Sequence, residues 1–279
     1  MSRVGSVGTT TDLGEHVRLE VRSPIAVLTL DRPAKRNALD GGTVRALGAF
    51  FADPPDGIAA AVLTASGDHF SAGLDLSELT ETSVFEGVLH SRGWHEPFDR
   101  IQLGKIPVVS VLRGAVIGGG LELALATHIR VAERSAYYAL PEGSRGIFVG
   151  GGASVRLPRV IGVHRMTDMM LTGRVLDAAT GHDLGISQYL VDDGAGLTTA
   201  IDLANRIAEN SPITNWAVLQ ALPRIAEVGP SEGLFVESLV AAISQGSDEA
   251  KALLADFLAG RAAKVAASGG TTGGDDDGH

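Results

Sequence analysis

The chain has 279 residues, of which 44% are hydrophobic and 20% are charged, and its formal net charge at pH 7 is -10. This composition is typical of a globular protein, and the negative charge argues against a general nucleic-acid-binding function. The absence of cysteine excludes disulfides, thiolate metal sites and a cysteine nucleophile. The longest apolar stretch, 106–126, is interrupted by Arg113 and Glu122, so no membrane span is expected, and the polar N-terminus predicts a cytoplasmic protein without a secretory signal.

Short strands and helices alternate in the first part of the chain. Two strands joined at Ser23-Pro24 are predicted, followed by a helix over 41–52 and a buried strand over 58–66. Weak periodicity over 74–104 predicts a lid or an irregular helical insertion. The next predicted elements are a buried strand over 106–116, a helix from Gly119, strands over 129–133 and 136–140, and a helix after the glycine turn 150–152.

Strand signals almost vanish after about residue 165. The rest of the chain predicts helices, with breaks at Pro212 and at Gly229-Pro230. The alternation in the first part nevertheless predicts an α/β fold with a repeated strand-strand-helix rhythm. The predicted C-terminal helices cover 176–184, 197–210, 212–227, 231–244 and 248–266.

Three consecutive glycines, 118–120, precede a predicted helix in the stretch GAVIGGGLELAL (114–125). Backbone N–H groups at a helix N-terminus lack intrahelical partners, so these glycines are candidates for an anion or oxyanion site. Glu122 lies three residues after Gly119, on the same side of the helix, and both could face one ligand. An acid in a first turn also satisfies the helix dipole, but a carboxylate among leucines costs free energy unless it is paired or used.

A second glycine turn and a second carboxylate extend this pattern. The stretch GDHFSAGLDL (67–76) follows a predicted strand, and the N–H of Leu74 could point into the same cleft, although SAGLD alone is an ordinary turn. Glu142 follows a strand end and a proline, where side chains often point into a cleft of α/β proteins. The alternative for Glu142 is a turn or helix-start acid.

Four segments together resemble the crotonase, or enoyl-CoA hydratase/isomerase, superfamily, over about residues 17–266. They are LTLDRPAKRNAL (28–39), HFSAGLDL (69–76), GAVIGGGLELAL (114–125) and YALPEGSRGIFVGGGASVRLPRVIG (138–162). The resemblance implies a crotonase-type spiral of repeated ββα turns, an acyl-CoA thioester as substrate, no metal or separate cofactor, and a homotrimer or a dimer of trimers. The expected organisation is a flexible N-terminus (1–16), a spiral catalytic core (17–205), a C-terminal helical oligomerisation region (206–267) and a disordered tail (268–279).

The resemblance also implies roles by position. The N–H groups of Leu74 and Gly119 would form an oxyanion hole, Glu122 would activate water, and Glu142 would hold that water and protonate the substrate Cα. We expect the helix start to favour the ionised form of Glu122. CoA is highly anionic, and the basic residues near position 34 offer a positive patch, unless they form only a solvated turn. The implied substrate-binding residues are Arg32, Lys35, Arg36, Ala38, Ala72, Gly73, Asp75, Gly118 and Trp94.

The segment VLHSRGWHEPFDRIQ (88–102), with ALPEGSRGIFVGGG and ISQYLV, is most similar to the methylthioacryloyl-CoA hydratase branch. Trp94 and His95 could line the acyl end of the pocket, although a tryptophan in an amphipathic helix is also a common core residue. The alternatives are an enoyl-CoA isomerase of the same fold and a non-catalytic acyl-CoA-binding protein. A serine hydrolase is disfavoured because no G-x-S-x-G motif occurs, and a metal site because no H-x-x-x-H pair occurs.

Overall fold

The computed structural model describes residues 9–80 and 83–261. The strands are β1 (Thr9–Gly14), β2 (Val17–Arg22), β3 (Ile25–Leu30), β4 (Ala60–Ala65), β5 (Val108–Leu112), β6 (Ala115–Ile117), β7 (Ile129–Glu133), β8 (Tyr137–Ala139), β9 (Leu176–Asp177) and β10 (Tyr189–Val191). The α-helices are α1 (Gly41–Ala52), α2 (Val84–Gln102), α3 (Gly119–Ala126), α4 (Ala153–Ile161), α5 (Val163–Thr172), α6 (Ala178–Asp183), α7 (Gly196–Ala208), α8 (Pro212–Ile225), α9 (Pro230–Gly246) and α10 (Asp248–Leu258). Short 3-10 turns cover Pro33–Lys35, Leu76–Glu78 and Pro141–Arg145.

The described strands form two sheets. The larger has the order β1-β2-β3-β4-β5-β7-β10, antiparallel from β1 to β3 and parallel from there on, and the smaller has the order β6-β8-β9. Every residue of β4 and β5 is buried, as expected for central parallel strands with both faces covered. The predicted α/β fold with a C-terminal helical region is confirmed.

Several predicted elements occur at the expected places. The strands β2 and β3 pair as an antiparallel hairpin across Ser23-Pro24, whose peptide bond is cis. The helix α1 has the predicted bounds, and the side chain of Asp40 caps it by accepting a hydrogen bond from the N–H of Thr43 at 2.7 Å.

Two short strands at the edges of the large sheet were not predicted. Residues 9–14, which the sequence placed in a flexible N-terminus over 1–16, form β1 and pair with β2, so that expectation is wrong for these residues. The strand β10 pairs in parallel with β7 in a region predicted to be almost purely helical. Residues 1–8 and the tail predicted over 268–279 lie outside the described residues.

The helix α7 belongs to the core. Its buried Ala200, Leu203 and Ala204 cluster with residues of the large sheet such as Val109 and Val131. The boundary predicted after residue 205 therefore falls inside a helix that covers the sheet, and the change to the C-terminal helices comes in the connection between α7 and α8. Within the described ranges, none of the helices has the length and apolar character needed to span a lipid bilayer.

The helix α2 is regular, in contrast to the irregular insertion expected over 74–104. It begins with a capping box, in which the Ser83 hydroxyl accepts from the N–H of Glu86 at 3.2 Å and the Glu86 carboxylate accepts from the N–H of Ser83 at 3.2 Å. The helix packs closely on α1, because a Cβ on Gly48 would lie 2.7 Å from the Cβ of Pro97. This contact fixes the position of α2, which contributes to the site described below.

We expect Gly48→Ala to destabilise the protein by about 1–3 kcal/mol, because the added methyl group must push α1 away from the backbone of Pro97. The higher helix propensity of alanine, about 1 kcal/mol, opposes this loss. Urea unfolding measures the difference. The matched control is Gly93→Ala on α2, where a Cβ meets nothing within 4 Å, and equal stability of the two variants would contradict the prediction.

Candidate active site

Glu122 lies in the first turn of α3, the helix that follows the three glycines. Every residue of α3 is buried, and Glu122 is only 4% exposed. Its carboxylate is nevertheless paired, because Oε1 accepts hydrogen bonds from the N–H groups of Gly151 at 2.8 Å and Ala153 at 3.0 Å. Ala153 is the first residue of α4, so the N-terminus of a second helix holds this acid.

Burial dominates the protonation of Glu122. Removal from water raises the pKa of its carboxyl above the ordinary value, and the two backbone hydrogen bonds and the charges of Arg156 and His95 oppose this only in part. The net direction of the pKa is thus set by burial, and the expected contribution of the start of α3 stays a prediction. The amides that stabilise the carboxylate belong to α4 and to the turn before it.

Glu142 lies in the 3-10 turn that follows β8, close to the glycines. The residue is only 7% exposed, and a Cβ on Gly118 would lie 2.6 Å from its Oε1. Its Oε2 is buried and has no hydrogen-bond partner among the described residues. Burial raises the pKa of Glu142, and the negative charge of Glu122 raises it further. The two acids therefore act on each other electrostatically.

Two backbone N–H groups lie close together where the glycine turns meet. The Leu74 N lies 3.2 Å from the position of a Cβ on Gly119, and the Gly119 N lies 3.1 Å from that of a Cβ on Gly73. No hydrogen bond among the described residues uses either N–H. Gly73 has a φ of 91°, and a Cβ there would lie 2.6 Å from the carbonyl oxygen of Ile117, so the approach of the turns requires glycine. This arrangement leaves two neighbouring donors for one acceptor.

A cavity of ≈ 350 Å³ opens beside these groups, and Leu74, Trp94 and Glu122 line it. Trp94 is 6% exposed and packs edge-on against Phe98, with ring centroids 5.6 Å apart, so it is both cavity wall and core. Glu142 is not among the residues that line this cavity. Further apolar wall comes from Leu79, Ile147 and Phe148.

His95 lies on a different face of α2 from Trp94. It lines a separate and larger cleft of ≈ 1460 Å³, together with residues of α4 and the end of α8. The expectation that His95 lines the same pocket as Trp94 is therefore wrong for the cavity beside Glu122.

The basic segment is tied to the loop that carries Leu74. The Asp75 carboxylate accepts hydrogen bonds from Arg32 at 2.7 Å and from Lys35 at 3.0 Å, and its pKa is held well below the usual range by hydrogen bonds from Ser77 and Lys35. Arg36 is exposed and forms no ion pair with the described residues. Two of the three predicted cations are therefore partly neutralised.

Backbone hydrogen bonds complete this connection. The carbonyl of Arg36 accepts from the N–H of Ala72 at 2.9 Å, and the N–H of Leu39 donates to the carbonyl of Gly73 at 2.8 Å. Ala38 is half-buried between these contacts. The segment 28–39, which contains the basic residues expected to bind CoA, thus lies directly beside the loop that carries Leu74.

The sequence model of the family described as enoyl-CoA hydratase/isomerase matches residues 20–258, which is most of the chain. The chain belongs to the enoyl-CoA hydratase/isomerase family. The resemblance to the crotonase superfamily is thereby confirmed, and the protein is an enzyme of the hydratase, or lyase, type.

Relatives of this enoyl-CoA hydratase/isomerase family member differ in what they act on. A short-chain-enoyl-CoA hydratase of Clostridium acetobutylicum is 30% identical over 226 residues, covering 80% of this chain and 87% of the relative. A carnitinyl-CoA dehydratase of Salmonella enteritidis is 32% identical over 225 residues, covering 79% and 85%. The crystal structure of a candidate enoyl-CoA hydratase from Rhodopseudomonas palustris is 56% identical, with a TM-score of 0.86 and coverage of 91% of this chain and 98% of that one.

The sequence analysis did not identify the residues that bind the buried carboxylate of Glu122. The Gly151 and Ala153 amides lie 29 and 31 residues from Glu122, and no local pattern relates them to it. The Ser91 hydroxyl donates to the carbonyl of Gly150 at 2.7 Å and ties the same turn to α2. Only the glycine run itself signalled that this turn approaches another group closely. Among the described residues, no group of three or more His, Asp or Glu side chains is placed to hold a metal ion.

Proposed function

We propose that this enzyme adds water across the double bond of an α,β-unsaturated acyl-CoA thioester. The observation that carries the proposal is the pair of buried acids beside two unused backbone donors. Glu122 is held by two amides, whereas the Oε2 of Glu142 is buried with no partner among the described residues. A group placed in this way is suited to exchange a proton with a bound water or substrate.

Burial raises the pKa of both acids, but the groups that oppose this effect differ between them. The hydrogen bonds from Gly151 and Ala153 and the charge of Arg156 favour the carboxylate form of Glu122. Glu142 is subject to burial and to the negative charge of Glu122, which both favour its protonated form. We therefore assign Glu122 as the base and Glu142 as the acid, with the two titrating as a coupled pair.

The assigned groups account for every atom of the reaction. Glu122 removes a proton from water, the water oxygen bonds to Cβ, and the electrons of the double bond move onto the thioester carbonyl oxygen. The N–H groups of Leu74 and Gly119 stabilise the resulting oxyanion, each by about 3 kcal/mol. Glu142 then protonates Cα, and a proton passing from Glu122 to Glu142 restores the starting state. No separate cofactor enters these steps.

The anionic end of CoA is assigned to the segment around Arg36. Its exposed guanidinium is available for a phosphate, while Asp75 holds Arg32 and Lys35 at the edge of the site. We also assign Gly118, Ala38 and Ala72 to substrate binding through their backbone. The cavity of ≈ 350 Å³ lies at the lower end of the range for small-molecule sites, which supports a short acyl group such as methylthioacryloyl.

The proposed activity is tested by incubating the protein with crotonyl-CoA and with methylthioacryloyl-CoA. We expect loss of the enoyl-thioester absorbance and formation of a hydroxyacyl-CoA product, identified by mass spectrometry. Conversion of a 3-enoyl-CoA to a 2-enoyl-CoA without a hydrated product would instead favour an isomerase. Binding of acyl-CoA without any conversion would contradict both enzymatic assignments.

The C-terminal helices support the proposal of a homotrimer or a dimer of trimers. In α9 only Gly233 is buried, and no residue of α10 is buried. Large apolar side chains on these helices face solvent in the single chain, which is unusual unless another surface covers them. They include Leu234, Phe235, Leu239, Ile243, Leu253, Leu254, Phe257 and Leu258.

A cytoplasmic location stays a prediction of the sequence.

We expect Phe235→Asp combined with Leu239→Asp to dissociate the assembly, because two buried charges would oppose burial of the apolar face of α9. Light scattering coupled to gel filtration measures the mass. The control is Glu237→Gln, an exposed position on the same helix. A double variant that keeps the wild-type mass would place the interface elsewhere, and a monomeric wild type would contradict the assembly itself.

A further inference from the structure

Arg156 connects the turn that holds Glu122 to the C-terminal end of α2. It lies in α4, and only 10% of its side chain is exposed. Its guanidinium donates three hydrogen bonds, with Nε donating to Gln102 Oε1 at 2.6 Å, Nη1 to the Gly151 carbonyl at 3.0 Å and Nη2 to Asp99 Oδ1 at 2.8 Å. A planar fork with fixed donor directions is needed to reach three acceptors on two elements.

Both backbone polar groups of Gly151 form hydrogen bonds. Its N–H donates to Glu122 at 2.8 Å, while its carbonyl accepts from Arg156 at 3.0 Å. The preceding carbonyl, of Gly150, accepts from Ser91 at 2.7 Å. The turn that binds the carboxylate is therefore fastened to α2 by Ser91 directly and by Arg156 through Asp99. Movement of this turn would move the Gly151 amide away from Glu122.

The positive charge of Arg156 also acts on the carboxyl group of Glu122. Burial raises the pKa of Glu122, and the positive charge of Arg156 opposes that effect, with His95 from α2 acting in the same direction. Glu142 is the other charged group near this acid, and the charge of Glu122 raises the pKa of Glu142. Asp99, the ion-pair partner of Arg156, has 58% of its side chain exposed.

We propose that Arg156 is a positioning residue for the base: through its hydrogen bond to the Gly151 carbonyl it holds the Gly151 amide against the Glu122 carboxylate, and it places a buried guanidinium in the helix that caps this carboxylate. This inference rests on the proposed function, because the role of Glu122 as a base is taken from it. Arg156 does not line the cavity beside Glu122, so it is not expected to touch the acyl group.

The test compares Arg156→Gln with Arg156→Lys. For the glutamine variant we expect kcat to fall about 10- to 100-fold with little change in KM, because the base is misplaced. The acidic limb of the kcat profile should move to higher pH by about one unit, since loss of the cation makes the carboxylate harder to form. For the lysine variant we expect a lowered kcat with the limb at the wild-type position, because the charge remains and the fork is lost.

A second measurement does not depend on turnover. Carbon-13 NMR titration of the glutamate carboxyls, with the Glu122 signal assigned through Glu122→Gln, reports the pKa of Glu122 directly. It should rise in Arg156→Gln and stay near the wild-type value in Arg156→Lys. The control is Arg159→Gln, on the same helix, whose side chain is 58% exposed and pairs with Glu227. That variant should leave both the profile and the titration unchanged.

The outcomes separate this inference from the proposed function. An inactive wild type whose Glu122 pKa still rises in Arg156→Gln would overturn hydration but support the electrostatic role of Arg156. An active wild type whose profile and titration coincide with those of a folded Arg156→Gln would overturn the inference alone. If the glutamine variant does not fold, the lysine variant decides, because wild-type kcat in Arg156→Lys would overturn the positioning role.

Discussion

Glu122→Gln is expected to lower kcat for hydration of crotonyl-CoA by about 10²- to 10⁴-fold, the usual contribution of a general base. The substitution keeps the volume of the side chain, and the amide oxygen can still accept the hydrogen bonds from Gly151 and Ala153. The fold of the turn should therefore survive, whereas an amide cannot take a proton from water. Steady-state kinetics with the wild-type protein as reference measures the loss.

Glu142→Gln is expected to produce a loss of similar size, because an amide cannot deliver a proton to Cα. The double variant should be little worse than either single variant, since the two acids act in one proton cycle. Glu96→Gln is the matched control, because this acid is on α2, is 70% exposed and lies outside the cavity beside Glu122. Wild-type rates in either active-site variant would contradict the two-acid mechanism.

The raised pKa values of both acids determine the expected pH dependence. Since the base must be ionised, activity should fall on the acidic side, and burial places this limb above the ordinary value for a glutamate. Since Glu142 must be protonated, activity should also fall on the basic side. The profile of kcat/KM is therefore expected to be bell-shaped, with both apparent pKa values belonging to the coupled pair.

The features of this site that depend on residues close together in the chain could be predicted from the sequence. The helix start at Gly119 and the acid three residues later are neighbours in the chain, and so are the glycine turn and Leu74, so each of these local arrangements could be predicted from residue types. The central parallel strands were also predictable, because β4 and β5 are buried on both faces and hence apolar throughout.

The parts that sequence reasoning missed depend on contacts between distant segments. The amides that hold Glu122 come from a turn 29 and 31 residues away, and Asp75 meets Arg32 across 43 residues. The strands β1 and β10 lie at the two edges of the large sheet, where one side of each has no partner among the described strands. Such strands are stabilised by pairing with one neighbour rather than by a buried apolar run, so their own composition indicates them weakly.

Gly119→Ala is expected to lower kcat/KM by about 10²- to 10³-fold, comparable to the loss of one oxyanion-hole donor. The N–H of residue 119 remains in this variant, so the loss must come from the added methyl group. Its Cβ would lie 2.9 Å from Cζ3 of Trp94 and 3.2 Å from the Leu74 N, which places it against the second donor. Either the ring or the loop of Leu74 has to move.

The loss of activity in Gly119→Ala should not be explained by unfolding of the protein. Residue 119 is the first residue of α3 and its φ is not positive, so alanine suits the backbone, and the clash with the buried ring should cost no more than about 1–3 kcal/mol of stability, which leaves the protein folded in a urea titration. Adding Trp94→Leu to Gly119→Ala would remove the clash with the ring but leave the methyl group beside Leu74 N. If the second change restores kcat/KM, displacement of Trp94 caused the loss; if it does not, obstruction of the donor pair did. Wild-type kcat/KM in Gly119→Ala itself would contradict the assignment of these two N–H groups as the donors to the oxyanion.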